Sequence, residues 1–195
     1  MGVKLEQVIE LMLSRASCPK LGSPAPDDAQ LAVMLQCALR APDHARLHPW
    51  RYLSIRDNAR NALGELFAEE QRQLNPDMAA DKQDKNRNML QRAPLVIVAI
   101  CSPQVNSKVP YEEQLLSAGS GVQHLQLAAN ALGFHSIWRT GDMVHSGAVR
   151  GALGLESHEQ IIGFIYIGSA AEIPAVSHLP VADFYRPWTP DEVQK

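Results

Sequence analysis

The amino-acid sequence predicts an α+β fold: a mixed central β-sheet flanked by helices. Three observations carry this. Leu95-Val-Ile-Val-Ala-Ile100 is a continuous β-branched apolar run, the pattern of a strand buried on both faces. Ile161 to Gly168 is a second clear buried strand, and Arg51-Tyr-Leu-Ser-Ile-Arg56 alternates polar and apolar as a half-buried strand does. Helical periodicities lie among these runs without alternating strictly with them, which makes α+β with a mixed sheet the better reading.

The elements follow in order. Leu5, Val8, Ile9, Met12 and Leu13 recur at three- and four-residue spacings and mark an amphipathic first helix ending near Arg15-Ala-Ser17. Pro19, Pro24 and Pro26 make an irregular connection, after which Asp27 or Asp28 caps a helix carrying Leu31, Met34, Leu35, Ala38 and Leu39. Residues 58–91 are the most polar part of the chain. They read as a helix to about Leu74, a break at Asn75-Pro76 and a solvated helix beyond it. From Glu112 to Leu132, positions 115, 118, 122, 125, 129 and 132 form a stripe, yet Leu116, Leu127 and Ala131 lie off it. Such a helix, apolar nearly all round, should be buried or covered by a second subunit. Gly133 ends it, and Phe134-His-Ser-Ile-Trp138 reads as a strand. Arg139-Thr-Gly-Asp142 turns the chain, and a short helix covers about Ser146 to Leu153. The tail from Ala170 holds Pro174, Pro180, Pro187 and Pro190 beside Phe184, Tyr185 and Trp188. Proline excludes regular helix there, while the aromatics predict that it docks on something.

At 195 residues the chain suits one domain over 1–195, with about 170–195 as a C-terminal tail. Its 46% hydrophobic and 20% charged residues are ordinary globular values. A net charge of −3 leaves no global basic field for nucleic acid, so any anion site is local. Cys18, Cys37 and Cys101 are widely spaced and lack a C-x-x-C pair, which argues against a disulfide framework or a zinc ribbon. The N-terminus lacks the basic region and long apolar stretch of a signal peptide. No run approaches 18 apolar residues, so no membrane span is expected and a reduced cytoplasm is the expected setting.

Residues 40–52, Arg-Ala-Pro-Asp-His-Ala-Arg-Leu-His-Pro-Trp-Arg-Tyr, form a shaped connection between a helix and a strand. Pro42 and Pro49 fix their own φ and push the residues before them towards extended geometry. A loop presenting His44, Arg46, His48 and Trp50 has the make-up of a binding surface; the simpler reading is a turn whose Trp50 plugs the core. His44 and His48 have metal-ligand spacing, but no glutamate lies between them and Pro49 stops a helix there. No G-x-S-x-G elbow, P-loop or strand-linked G-x-G-x-x-G is present. Three polar clusters remain. Arg15 with Ser17 suits a phosphate, the 40–50 loop is the second, and Trp138-Arg139-Thr140 follows a strand's carboxyl end, where ligands of such sheets commonly sit.

The order and spacing of these clusters resembles the nitroreductase family of FMN-dependent oxidoreductases, in particular its small members. The resembling pieces are Arg15-Ala-Ser17, Arg40-Ala-Pro-Asp-His44 through His48-Pro-Trp50-Arg, Arg92-Ala-Pro-Leu95 and Lys108-Val-Pro110. The small-residue helix follows, then Gly133-Phe134, Ile137-Trp-Arg-Thr-Gly141 and Ile162-Gly-Phe-Ile-Tyr-Ile-Gly168. The resemblance implies an intertwined homodimer with two FMN sites at the subunit interface. Arg15, Ala16, Ser17, Trp138, Arg139 and Thr140 of one subunit would hold the flavin, with His44 and His48 from its partner. Ala128, Ala129, Asn130, Ala131, Leu132 and Gly133 match a segment proposed for NAD(P)H. Two departures from the family pattern stand out: Ala16 replaces a second arginine, and His48 replaces an amide residue. The implied activity is NAD(P)H-driven reduction of nitroaromatic, quinone-like or other small acceptors by ping-pong hydride transfer, with no catalytic acid, base or metal. The alternative is a flavin-binding or flavin-shuttling protein with little turnover.

Overall fold

The computed structural model describes residues 5–104 and 108–189. Four strands form one sheet in the order β1-β2-β4-β3: β1 Trp50–Arg56, β2 Leu95–Cys101, β3 His135–Arg139 and β4 Gln160–Gly168. All three pairings are antiparallel. The mixed character expected of the sheet is confined to one parallel bridge, Ser17 to Ser136, on the free edge of β3.

All seven residues of β2 are buried, as its unbroken apolar run requires. The strand's two-residue period divides the first six between two cores. Val96, Val98 and Ile100 pack with Leu63, Phe67, Leu90, Val149, Phe164 and Tyr166 under α3 (Asp57–Leu74) and α6 (Gly147–Ala152). Leu95, Ile97 and Ala99 pack with Leu31, Met34, Val122, Leu125 and Ala129 under α2 (Asp28–Ala38) and α5 (Tyr111–Ala131). The sheet is thus the middle of three layers. At the loop before β4, Glu159, only 4% exposed, takes a two-point ion pair from Arg51 of β1 at 2.5 and 2.9 Å.

The start of α2 follows local chemistry. Asp27 caps α2 in a reciprocal capping box: Gln30 N–H donates to Asp27 Oδ1 at 2.8 Å, and Asp27 N–H donates to Gln30 Oε1 at 3.0 Å. The polar region folds as α3 and the solvated α4 (Ala80–Arg87), with the break where Asn75-Pro76 stands.

Helix α5 differs in detail from its apolar reading. Ala118, Val122, Leu125 and Ala129 are buried, but Leu116 is 70% exposed. The buried face also takes in Gln114, Ser117 and Gln126, each with a partner. Gln114 Nε2 donates to Val109 O, Ser117 Oγ to Pro42 O, and Gln126 Nε2 to Ser136 Oγ. A side chain at Gly121 would meet Tyr52 Oη at 2.5 Å and Ala38 O at 3.2 Å, so the glycine is what lets α2 approach.

Two amphipathic parts lack cover. Helix α1 (Leu5–Ser14) buries no residue and leaves Leu5, Ile9, Met12 and Leu13 exposed. In the tail, Phe184, Tyr185 and Trp188 are also exposed, so it does not dock on its own protomer; its last residues from Pro190 lie outside the described ones.

Candidate functional site

Strand β3 lies at the sheet edge because only β4 pairs with it. The chain leaving α1 runs along its free side: Ser17 bridges Ser136 in parallel, and Cys18 N–H donates to Ser136 O at 3.1 Å. Two clusters far apart in sequence therefore share one edge. The parallel sense puts Arg15 towards the start of β3 and Thr140 just beyond its end. Burial pushes the Cys18 thiol up from its ordinary pKa while the nearby Arg15 charge pulls it down.

Strand alternation then separates Trp138 from Arg139. The Trp138 indole N–H donates to Ile162 O at 3.0 Å, and its ring lies across Gly163, where a Cβ would come within 2.0 Å of Nε1. This side opens on a groove of about 670 Å³ walled by Leu115, Leu116, Gly119, Thr140 and Ile162. Arg139 goes to the other face, its guanidinium 5.9 Å from the Tyr166 ring centroid and its Nε buried without a partner. It lines a more enclosed cavity of about 290 Å³ with Phe67, Asn86, Met89, Arg92 and Asp142. Burial pushes the Tyr166 phenol up to about 12 although Arg139 and Arg92 pull it down. Tyr166 thus stays neutral beside two cations. Among the described residues neither Arg15, Arg92 nor Arg139 has a carboxylate partner.

The 40–50 loop holds three non-glycine residues in left-handed geometry: Ala45 at φ 62°, Arg46 at 55° and His48 at 52°. Each costs on the order of 1–2 kcal/mol, and polar ties hold the turn against that cost. His48 N–H donates to Asp43 Oδ2 at 2.7 Å, Gln104 Nε2 to Leu47 O at 2.9 Å, and His44 Nδ1 lies 2.7 Å from Glu113 Oε2. The simpler reading of the loop holds at Trp50. Trp50 is buried against Ala41, Cys101 and Ala118 as a core plug, while His44 and His48 remain outside it. Among the described residues no group of three histidine, cysteine or acidic side chains could hold a metal. No described helix is long and apolar enough to cross a membrane.

The sequence pattern of the nitroreductase family matches residues 12–169, from α1 to just past β4. The chain belongs to the nitroreductase family. YdjA of Escherichia coli K12, an NAD(P)H nitroreductase by name, is 37% identical over 175 residues, 90% of this chain and 94% of its own length. YfhC of Bacillus subtilis, similarly named, is 27% identical over 89% of this chain and 90% of its own. Among solved structures, a nitroreductase-like protein from Bacillus cereus superposes with a TM-score of 0.80 at 19% identity, covering 96% of this chain and 99% of the other. A nitroreductase from Desulfovibrio desulfuricans, solved in complex with FMN, gives 0.71 at 20% identity over 96% and 100%.

In this nitroreductase-family chain the 128–133 segment is the end and cap of α5. Ala128 and Ala129 are buried in the core, and Asn130 Nδ2 donates to Leu11 O at 3.2 Å. Gly133 turns the chain at φ 82°. The recess beside Asn130 is walled by Glu6 and Glu10, whose charges disfavour a dinucleotide's phosphates. The segment therefore offers Ala131, Leu132 and Gly133 at the surface and little else. Glu113, Gly163, Arg92 and Tyr166 are the site neighbours that sequence reasoning left without a role. Arg92 stood inside one recognised motif and Gly163 and Tyr166 inside another, the 162–168 run; Glu113 reaches the site through a tertiary contact alone.

Proposed function

We propose that this chain is an FMN-dependent NAD(P)H oxidoreductase that reduces nitroaromatic, quinone-like or similar small acceptors. It would work as a homodimer with its flavin sites at the subunit interface. The observation that carries this reading is the free edge of β3, where Arg15-Ala-Ser17 and Trp138-Arg139-Thr140 lie along one line. The names of the relatives and the FMN complex of the Desulfovibrio protein support the choice of reductant and cofactor.

The residues fit the group. Arg15 has no carboxylate partner and suits a phosphate, while Ser17 supplies a hydroxyl beside it. Arg139 keeps a buried Nε unpaired, and such a donor is stabilised by a polar or anionic ligand. Trp138 and Arg139 leave the strand on opposite faces, and Thr140, just past its end, borders both the groove and the cavity. Ala16 supplies no second cation. His44 and His48 of the partner subunit would complete the site. When bound, FMN would supply the redox chemistry that links NAD(P)H to the acceptor. The chain's own contribution is placement, donors around the ring and an apolar groove, walled by Leu115, Leu116 and Ile162, that admits a flat acceptor while limiting water.

The test is the absorption spectrum of the purified, FMN-reconstituted protein, followed by titration with NADH and NADPH under nitrogen. Bleaching of the flavin band, and its return on adding a nitroaromatic, is the expected result. Failure to bind FMN would overturn the reading. Binding without bleaching would leave a flavin carrier rather than a reductase.

A further inference from the structure

His44 and Glu113 lie 69 positions apart in sequence and meet at 2.7 Å, Nδ1 against Oε2. An ionised carboxylate only accepts hydrogen bonds, so Nδ1 must carry the hydrogen. In a neutral imidazole the other nitrogen, Nε2, is then a bare acceptor. We propose that Glu113 is a positioning residue. It fixes His44 as the Nδ1–H tautomer and turns Nε2, lone pair outward, towards a hydrogen-bond donor on the neighbouring subunit's FMN, its ring N3–H or a ribityl hydroxyl. This rests on the reading above that His44 meets the partner's flavin.

Helix α5 holds the loop at two points. Ser117 Oγ donates to Pro42 O at 2.5 Å, anchoring the backbone two residues before His44, and Glu113 one turn earlier anchors the ring. The left-handed residues Ala45, Arg46 and His48 show that the loop is held in a backbone it would not adopt freely. Anchored backbone and oriented ring together are how a ligand-facing histidine is preorganised, its second nitrogen tied to a carboxylate. The simpler role for Glu113, an acidic residue in the first turn of α5 that complements the helix dipole, needs no contact with His44.

The test compares FMN dissociation constants of the full-length wild type, Glu113→Ala, Glu113→Gln, His44→Ala and the double variant His44→Ala/Glu113→Ala. It adds long-range nitrogen–proton NMR of ¹⁵N-histidine-labelled holoprotein at pH 8, His44 being assigned by its loss in His44→Ala. Losing one oriented hydrogen bond should weaken FMN about three- to tenfold in Glu113→Ala. Glu113→Gln, whose amide oxygen still accepts from Nδ1–H, should stay within about twofold of wild type. The double variant should be no weaker than His44→Ala alone. His44 should be the Nδ1–H tautomer in wild type and Glu113→Gln, and should lose that preference in Glu113→Ala. If His44→Ala weakens FMN while Glu113→Ala does not, or wild-type His44 is the Nε2–H tautomer or doubly protonated, the positioning role is wrong. If His44→Ala leaves FMN affinity unchanged, the placement of His44 against the flavin fails first, and the role of Glu113 with it.

Discussion

Glu159 receives donors from Arg51 Nε, Arg51 Nη2 and the Glu156 N–H while only 4% of its surface is exposed. Hydrogen bonding from Arg51, acting against burial, holds its pKa down at about 2. A depressed folded pKa contributes stability above the carboxylate's ordinary value and loses it as pH falls towards the folded one. Glu159→Ala should therefore cost about 1.5–3 kcal/mol at pH 7, the scale of charged hydrogen bonds. The gap to wild type should close between about pH 4.5 and 2, which urea midpoints across that range would show. Arg15→Ala belongs to the same scale. One charge-assisted bond to phosphate, about 1.5–3 kcal/mol, predicts roughly ten- to hundredfold weaker FMN binding. With Ala16 offering no second cation, the loss should fall in the upper part of that range. An unchanged dissociation constant would move the phosphate seat elsewhere.

Between elements, glycines decide how closely the layers meet. A Cβ on Gly64 of α3 would stand 2.1 Å from Arg87 O at the end of α4. Backbone cannot yield as a side-chain tip can, so Gly64→Ala should push α4 away. α4 buries no residue and is otherwise tied to α3 by the exposed Arg87–Glu65 ion pair at 3.0 Å. The expected result is faster amide exchange in residues 80–87 with β2 protection unchanged; uniform loss across the sheet would show that α4 supports the whole fold. Gly163 plays the matching part beneath Trp138. Gly163→Ala should expel the indole from its slot and break its bond to Ile162 O, visible as a shift of tryptophan emission to longer wavelength.

For the whole molecule, the uncovered parts set the expectation. Helix α1 and the tail expose Leu5, Leu13, Leu179, Phe184 and Trp188, and α5 exposes Leu116. Apolar surface on this scale is unfavourable in a lone protomer and is the surface a homodimer would cover. Sedimentation at low micromolar concentration should show a dimer, and truncation from residue 170 should weaken it. Because the proposed site draws Arg15 and His44 from different subunits, mixing Arg15→Ala with His44→Ala protein should regenerate one intact site per heterodimer. A site built within one subunit would give no such rescue.

The sequence alone determined the layers. β2 could be read because burial on both faces leaves no polar position in the strand, and α2 because Asp27 caps it locally. The candidate clusters could be read because prolines, arginines and histidines stood in family order, and the match over residues 12–169 agrees with that order. Tertiary structure alone decided which clusters meet. The bridge from Ser17 to Ser136 joins segments some 120 positions apart, and nothing local encodes it. Strand alternation parts Trp138 from Arg139, but only the packing of α5 and α3 on opposite faces says what each side chain meets. The partner of His44 was likewise hidden, since an exposed acidic residue at a helix start reads as solvated until a loop 69 positions away is folded onto it. Periodicity and capping act within a few residues and can be read directly; a hydrogen bond across the fold exists only once the layers have closed.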